Sequence, residues 1–268
     1  MLTKIVVVQA RMGRGLTLEE KVHIFRQRPD FVCLPEYWLI DETVEDFYRA
    51  ALRASEYREY LRRLSDELTT CLIGGTIVEA DGDHLFNTGY IIDRGAVVGR
   101  YRKRYPVPGE QTKGIRPGME NLVLSIDGLN VAMLICGDVF HPHLWSELRD
   151  RSVDLVMVPT TSPFRPDDSV SQKKHRDQLY FVSGAEQSGA YIIKSCAVGS
   201  IFGHLLQGRS LIAAPWGVLS RVEFGEEGSR RMLTLTLDIA ELREFRRKFR
   251  RVDQTELVET KTIDSQIR

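Results

Sequence analysis

Short apolar segments recur along this chain at even spacing and alternate with helical segments. Apolar runs of this kind, bounded by Gly, Pro or Asp, are typical of buried strands. Some runs are joined by short turn signals, such as Arg94-Gly95 and Asp127-Gly128-Leu129, and others are separated by helical segments. Hairpins combined with helical crossovers predict mixed sheets covered by helices, and therefore an α/β fold.

The pattern predicts individual elements along the chain. Strands are expected at Lys4–Gln9, Asp30–Leu34, Cys71–Glu79, Leu85–Asp93, Ala96–Tyr101, Leu122–Ile126, Asn130–Cys136, Val153–Pro159, Tyr191–Ala197, Gly208–Ala214, Gly217–Val222 and Met232–Asp238. Helices are expected at Leu18–Gln27, Thr43–Leu68, His143–Asp150, Gln172–Ser188 and Ile239–Arg250. No linker with a shift in composition divides the chain, so we expect one domain over residues 1–251, followed by a polar tail at 252–268.

The charge balance argues against nucleic acid or a membrane as the main partner. Lys plus Arg and Asp plus Glu both number 37, and no apolar stretch approaches the ~20 residues that span a bilayer. The first residues lack the pattern of a signal peptide. The four cysteines are far apart and lie in or beside apolar runs, which favours reduced thiols and a cytoplasmic protein; they are Cys33, Cys71, Cys136 and Cys196.

Cys136 follows the apolar run Val131–Ile135 and precedes Gly137. A sharp turn at the end of a strand can lift a nucleophile into a cleft and direct the next backbone N–H toward the same point. A buried structural cysteine is the alternative, and on its own this thiol does not distinguish the two. A nucleophilic thiol also needs a base, or a charge that stabilises the developing anion.

Two other segments place reactive groups just after apolar strands. Glu36 follows the run ending at Leu34, where a carboxylate at the rim of the core could act as a base. Lys103 follows the first predicted hairpin, the one that turns at Arg94-Gly95, and Glu110 follows it in a loop rich in Pro and Gly. Singly, each has an ordinary structural explanation: Glu36 could cap a helix or pair with an arginine, and Lys103 lies in a charge run that could be solvated.

The order of these motifs resembles the nitrilase superfamily of carbon–nitrogen hydrolases. The motifs are Leu34-Pro35-Glu36, Tyr101-Arg102-Lys103, Pro108-Gly109-Glu110 and Ile135-Cys136-Gly137-Asp138. Further matching segments extend the resemblance over nearly the whole chain; they are Val7–Gln9, Arg116-Pro117-Gly118, Pro159-Thr160-Thr161, Gly203-His204, Gly208-Arg209-Ser210, Ala214-Pro215-Trp216-Gly217 and Leu237-Asp238-Ile239. One departure is that Lys103 has arginines on both sides, which favours a neutral lysine unless Glu36 or Glu110 compensates.

The resemblance implies a fold and a catalytic apparatus. The fold is a four-layer α-β-β-α sandwich that commonly pairs into a homodimer or a higher homo-oligomer, and the tail at 252–268 could contribute to dimer contacts. The family's Glu-Lys-Cys triad corresponds to Glu36, Lys103 and Cys136, and Glu110 matches an additional glutamate near it. The implied reaction is hydrolysis of an amide or carbamoyl carbon–nitrogen bond in a small molecule through a Cys thioester, without a metal or an organic cofactor.

Residues after the triad bear on specificity. Asp138 favours amide cleavage, since true nitrilases usually carry Trp-Glu after the cysteine. The predicted oxyanion and substrate-binding residues are Gly137, Phe140, His141, Thr160 and Thr161. A nitrilase proper, an acyl transferase and a non-catalytic scaffold remain alternatives. His141 and His143 lack a further ligand at metal-binding spacing. The basic cluster Arg243–Arg251 favours an amphipathic helix with a solvated or dimer-forming face over a nucleic-acid or membrane patch.

Overall fold

The computed structural model describes residues 1–248 of the chain. Within this part the chain forms thirteen strands: β1 (Leu2–Arg11), β2 (Phe31–Cys33), β3 (Cys71–Asp81), β4 (His84–Asp93), β5 (Ala96–Arg102), β6 (Leu122–Ile126), β7 (Leu129–Met133), β8 (Leu155–Thr160), β9 (Tyr191–Ile201), β10 (His204–Leu206), β11 (Leu211–Ala214), β12 (Gly217–Arg221) and β13 (Arg231–Asp238). Most of these strands coincide with apolar runs of the sequence.

The strands form two mixed sheets. The first has the order β5-β4-β3-β2-β1-β13, and the second has the order β6-β7-β8-β9-β11-β12. Short parallel pairing of Ala10 with Ala197 joins β1 to β9 at one end, and β10 pairs with β9. Within each sheet the central strands are parallel, as helical crossovers require, and the outer ones pair antiparallel with their neighbours.

Helices cover the outer face of each sheet. They are α1 (Leu18–Gln27), α2 (Phe47–Leu52), α3 (Ala54–Leu68), α4 (Pro108–Gln111), α5 (Pro142–Asp150), α6 (Val170–Asp177) and α7 (Ser183–Ser188), with a π-helical turn Gln178–Val182 joining α6 to α7 and a final helix over 239–248. Among the described residues, no helix is both long enough and apolar enough to cross a membrane.

Three apolar layers hold the sandwich together. Ile24 of α1 and Leu61 and Leu64 of α3 pack against the first sheet, in a core separate from the one between the sheets. A Cβ on Gly89 of the first sheet would lie 2.3 Å from Met133 Sδ of the second, so the sheets are in direct contact there. On the far side, Trp145 of α5 packs against α7. The prediction of a four-layer α-β-β-α sandwich is confirmed.

Two predicted elements differ from the structure. The single helix expected over Thr43–Leu68 is two helices that meet at Arg53, and Asp46 caps the first by accepting a 2.7 Å hydrogen bond from the Arg49 N–H. Apolar spacing continues across this break because both helices face the same sheet, which hid the break from the pattern. The strand expected over Asn130–Cys136 ends at Met133, because the Ile135 N–H donates to the Asp138 carboxylate instead of a neighbouring strand.

The final helix is attached to the second sheet by ion pairs. The Arg243 and Arg246 guanidinium groups both contact the carboxylate of Asp154, which is 1% exposed. Their pairing with a buried carboxylate attaches the helix to the second sheet, while the Arg243 side chain remains 47% exposed. The last residues of the basic cluster and the predicted tail at 252–268 lie outside the described residues.

Candidate active site

Four strand ends bring the candidate residues together at one edge of the sandwich. Glu36 follows β2 and Lys103 follows β5, both in the first sheet. Cys136 follows β7 and Thr161 follows β8, both in the second sheet. Because each sheet presents the carboxyl ends of these strands at the same edge, residues far apart in sequence meet there.

The Glu36 carboxylate is fully buried and receives four hydrogen bonds. Its Oε1 accepts from Lys103 Nζ at 2.9 Å and from Asn87 Nδ2 at 2.8 Å. Its Oε2 accepts from the Thr161 N–H at 2.8 Å and from the Thr161 hydroxyl at 2.6 Å. A buried carboxylate with donors on both oxygens is held in one orientation, as a general base requires.

The Lys103 ammonium lies between two carboxylates. Its Nζ is 2.9 Å from Glu36 Oε1 and 2.7 Å from Glu110 Oε2, and the side chain is 1% exposed. Burial acts to lower the pKa of Lys103, but the charges of Glu36, Cys136 and Glu110 outweigh it and raise that pKa above the usual value. The ammonium therefore stays charged, and the flanking cations do not neutralise it: Arg102 pairs with Asp81 and Arg104 with Glu147.

Glu110 is the partner that orients Lys103. Burial acts to raise the pKa of Glu110, yet the Lys103 charge and hydrogen bonds lower it overall. Its Oε1 accepts from the Tyr37 hydroxyl at 2.7 Å and from Asn87 Nδ2 at 2.9 Å, and its Oε2 accepts from the Val107 N–H at 2.8 Å. Asn87 thus links Glu36 to Glu110, and the three side chains enclose the ammonium.

Cys136 occupies a strained turn. Its φ is 43°, in the left-handed region that non-glycine residues seldom adopt. Asp138 supports this turn, since its carboxylate accepts from the Ile135 N–H at 2.9 Å, the Tyr105 N–H at 2.8 Å and the Tyr101 hydroxyl at 2.8 Å. Burial raises the pKa of Asp138 despite these donors. Strain maintained by surrounding hydrogen bonds is a common property of functional sites.

Gly137 must be a glycine because the chain passes close to its neighbours. A Cβ at this position would lie 2.7 Å from Val107 Cγ1 and 3.1 Å from the Tyr105 carbonyl oxygen. Gly137 lies in the first turn of the short 3₁₀-helix Cys136–Phe140, where N–H groups have no partner in a preceding turn. This geometry is compatible with the predicted oxyanion-binding role of the Gly137 N–H.

The Cys136 thiol is surrounded by the other candidate groups. Its Sγ lies 3.3 Å from the Thr161 carbonyl oxygen. Burial, followed by the charge of Glu36, raises the pKa of the thiol well above the usual value, although Lys103 opposes the shift. The resting side chain is therefore a protonated thiol at neutral pH, and it needs a base at the moment of attack.

We expect Cys136 to remain un-ionised well above the pH at which an ordinary cysteine loses its proton. An unperturbed thiol titrates near pH 8.5, whereas the pKa of Cys136 is raised. Its thiolate absorbance at 240 nm, taken as the difference between the wild-type protein and a Cys136→Ala variant, should show no transition between about pH 6 and pH 9. A transition near or below pH 7 would show instead a stable resting thiolate paired with Lys103.

Most predicted site residues line one cavity of about 610 Å³, which is of the size that accepts small organic molecules. Lys103, Glu110, Cys136, Phe140, Thr160 and Thr161 contribute to its wall. Glu36, Gly137 and His141 are not among its lining residues, and the His141 ring stacks on Tyr105, with centroids 3.6 Å apart. Asp138 is buried behind the wall, so it acts on the turn and not on the substrate. No group of potential metal ligands occurs within residues 1–248.

Sequence reasoning missed Asn87 and did not anticipate how Thr161 binds Glu36. Asn87 is a fully buried amide within the apolar strand β4. A lone Asn in such a strand is a detectable signal, because a buried amide needs polar partners. The contribution of Thr161 to the base could not be read from the pattern, since its partner lies 125 positions away in the sequence.

Comparison with known proteins identifies the family. The carbon-nitrogen hydrolase family matches residues 8–247 of this chain. A glutamine-dependent NAD(+) synthetase from Acinetobacter baylyi is 23% identical over 70% of the chain, and the chain spans only 34% of that protein. The chloroplastic omega-amidase of Arabidopsis thaliana is 26% identical over 87% of the chain and 67% of its own length.

A solved structure supports the same assignment at the level of the fold. A Glu-to-Gln mutant of the amidase from Nesterenkonia sp. AN1 superposes with a TM-score of 0.73 at 19% identity, covering 93% of this chain and 95% of that one. The chain belongs to the carbon-nitrogen hydrolase family, and the resemblance to the nitrilase superfamily is confirmed.

Proposed function

We propose that this protein hydrolyses the amide bond of a small molecule, with Cys136 as nucleophile, Glu36 as general base and Lys103 as oxyanion stabiliser. The observation that carries the proposal is that the buried Glu36 carboxylate is hydrogen-bonded to the charged Lys103 ammonium, which lines one cavity together with the protonated thiol of Cys136. A purely structural ion pair would not require a thiol in a strained turn beside it.

In the first half of the reaction the thiol attacks the amide carbonyl carbon. Glu36 removes the thiol proton as the carbon–sulfur bond forms, and the carbonyl oxygen becomes an oxyanion between Lys103 Nζ and the Gly137 N–H. The carbon–nitrogen bond then breaks, and Glu36 returns its proton to the leaving ammonia or amine. The product bound to the enzyme is a thioester on Cys136.

In the second half a water molecule hydrolyses the thioester. Glu36 removes a proton from that water, and the same two donors bind the second oxyanion. When the carbon–sulfur bond breaks, the proton returns to the sulfur and the carboxylic acid leaves. Glu110 and Asn87 keep Lys103 and Glu36 in position throughout both halves.

The names of the relatives support the proposal that the substrate is an amide. One relative is an omega-amidase, and the amidase from Nesterenkonia carries the acetamide moiety of fluoroacetamide on its active-site cysteine. A nitrilase from Pyrococcus abyssi, 26% identical over 75% of this chain, keeps nitriles in the range of substrates to be tested.

The test is ammonia release from matched pairs of amides and nitriles that share one carbon skeleton. We expect amides to be hydrolysed and the corresponding nitriles to react at least about tenfold more slowly in kcat/KM. Amine release from secondary amides and transfer to hydroxylamine report on hydrolysis against acyl transfer. Faster hydrolysis of nitriles than of amides would contradict the proposal, as would the absence of turnover with every substrate of the panel.

A further inference from the structure

The cavity has a second wall that the proposed mechanism does not use. Lys194 of β9 and Arg209 both line it and are almost fully buried, with exposures of 1% and 6%. Two buried cations are costly unless an anion or strong hydrogen bonds compensate them. The negative charges near this wall therefore decide whether it can bind an anion.

The carboxylate of Asp177 pairs with three cations: Lys194, Arg209 and Arg221. Asp177 Oδ1 lies 3.3 Å from Lys194 Nζ and 3.5 Å from an Arg209 nitrogen, and its Oδ2 lies 2.8 Å from Arg221. Asp177 does not itself line the cavity. The cluster of these four side chains thus carries an excess of positive charge, and Lys194 and Arg209, but not Asp177 or Arg221, line the space where a substrate would lie.

Arg209 has a hydrogen-bond donor without a partner. One terminal nitrogen donates to the Lys173 carbonyl oxygen at 3.1 Å, but the buried Nε–H has no acceptor among residues 1–248. An unpaired buried donor costs free energy and is uncommon in folded proteins. A ligand oxygen is one group that would satisfy it.

The remaining charged residues of the cavity wall are consistent with an anionic ligand. Lys113 and Arg165 are two further cations of the wall, and Arg176 is a third, paired with Asp168. Glu110 is the only carboxylate among the residues that line this cavity in the described chain, and Lys103 already engages it. A cationic substrate would therefore meet repulsion, and an anionic one would meet attraction.

We infer that Lys194 and Arg209 form a subsite for an anionic oxygen group of the substrate, such as a carboxylate, at the opposite end of the molecule from the amide that Cys136 attacks. This inference rests on the proposed function, because it assigns the substrate class of the same cavity. The substrates are then small amides that carry an anionic oxygen group. The anion adds the negative charge that the cluster around Asp177 lacks.

The experiment compares substrates that differ in charge but hardly in shape. Succinamate and levulinamide differ in that a methyl group replaces one carboxylate oxygen, and glutaramate has the same relation to its methyl ketone analogue. We expect kcat/KM to favour the anionic member by about 10- to 100-fold. A phosphonate analogue of succinamate identifies which anionic oxygen group the subsite prefers. Equal or faster hydrolysis of the neutral members would overturn the inference.

Variants assign the preference to particular side chains. Lys194→Met and Arg209→Gln should each reduce the ratio of anionic to neutral kcat/KM by about tenfold. Lys21→Met is the matched control, since Lys21 pairs with Glu67 on the outer helices and its loss should leave the ratio unchanged. Using two separate variants keeps the test valid if one of them fails to fold, and an unchanged ratio in a folded variant contradicts the inference for that residue.

A binding measurement separates this inference from the proposed function. In the Cys136→Ala variant, calorimetry should show that succinamate binds more tightly than levulinamide, whether or not any amide is turned over. Preferential binding without turnover in the wild-type protein would contradict the function and leave the subsite intact. Turnover without any preference for the anion would contradict the subsite alone.

Discussion

Replacing Cys136 with alanine is expected to lower the rate of amide hydrolysis by on the order of 10⁴- to 10⁶-fold, because the thioester can no longer form. Within the described part of the chain the thiol makes one hydrogen bond, to the Thr161 carbonyl oxygen, so the fold should be retained. Initial rates of ammonia release measure the loss, and the circular dichroism melting curve shows whether the variant is folded.

The control for this experiment is Cys196→Ala. Cys196 is a fully buried thiol of β9 whose backbone N–H, but not its sulfur, has a hydrogen bond in the described structure. Its replacement creates only a small cavity and should cost about 1 kcal/mol of stability with little change in rate. If the Cys136→Ala protein kept more than about a tenth of the wild-type rate, covalent catalysis by this residue would be refuted.

Replacing Glu36 with glutamine should lower kcat by about 10²- to 10⁴-fold, because the general base is lost while the shape is kept. Either orientation of the new amide directs its NH₂ group at existing donors: the Thr161 N–H on one side, or Lys103 and Asn87 on the other. Labelling by fluoroacetamide, followed by intact-mass spectrometry, tests whether the cysteine remains accessible in this variant.

The same substitution has a second expected effect of opposite sign. The charge of Glu36 is one cause of the raised pKa of Cys136, and Lys103 acts to lower it. Removing the carboxylate should therefore lower the pKa of the thiol, and its 240 nm absorbance should rise at a lower pH than in the wild-type protein. A lower rate together with a lower thiol pKa would indicate that the variant has lost its base. General disruption of the site would lower the rate without lowering this pKa.

Most strands were predictable because their signals are local, whereas the four-layer fold and the predicted triad followed from the resemblance to the nitrilase superfamily. Apolar runs with turn residues between them indicate strands, and Glu36, Lys103 and Cys136 each follow such a run. The break at Arg53 was not predictable, because both helices present apolar residues to one sheet with uninterrupted spacing. The early end of β7 was not predictable for another reason: it depends on the side chain of Asp138, which accepts a hydrogen bond from the Ile135 N–H.

Other parts of the site depend on contacts across the fold and could not be predicted from the sequence. The preference for amides was inferred from Asp138, but this residue holds the turn and does not face the cavity. The charged wall gave only a weak sequence signal, since Lys194, Asp177 and Arg209 come from three separate segments. A lysine within an apolar strand is the single hint, because burial of such a charge requires a partner.

Because the site is divided between two sheets, the proposed catalysis depends on how those sheets pack against each other. Glu36 and Lys103 follow strands of one sheet, and Cys136 and Thr161, which binds the Glu36 carboxylate, follow strands of the other. A slip of about 1 Å between the layers would separate the reacting groups while leaving every strand intact. On gradual heating, turnover should therefore be lost before the circular dichroism signal of the strands declines, because the packing between the sheets loosens first.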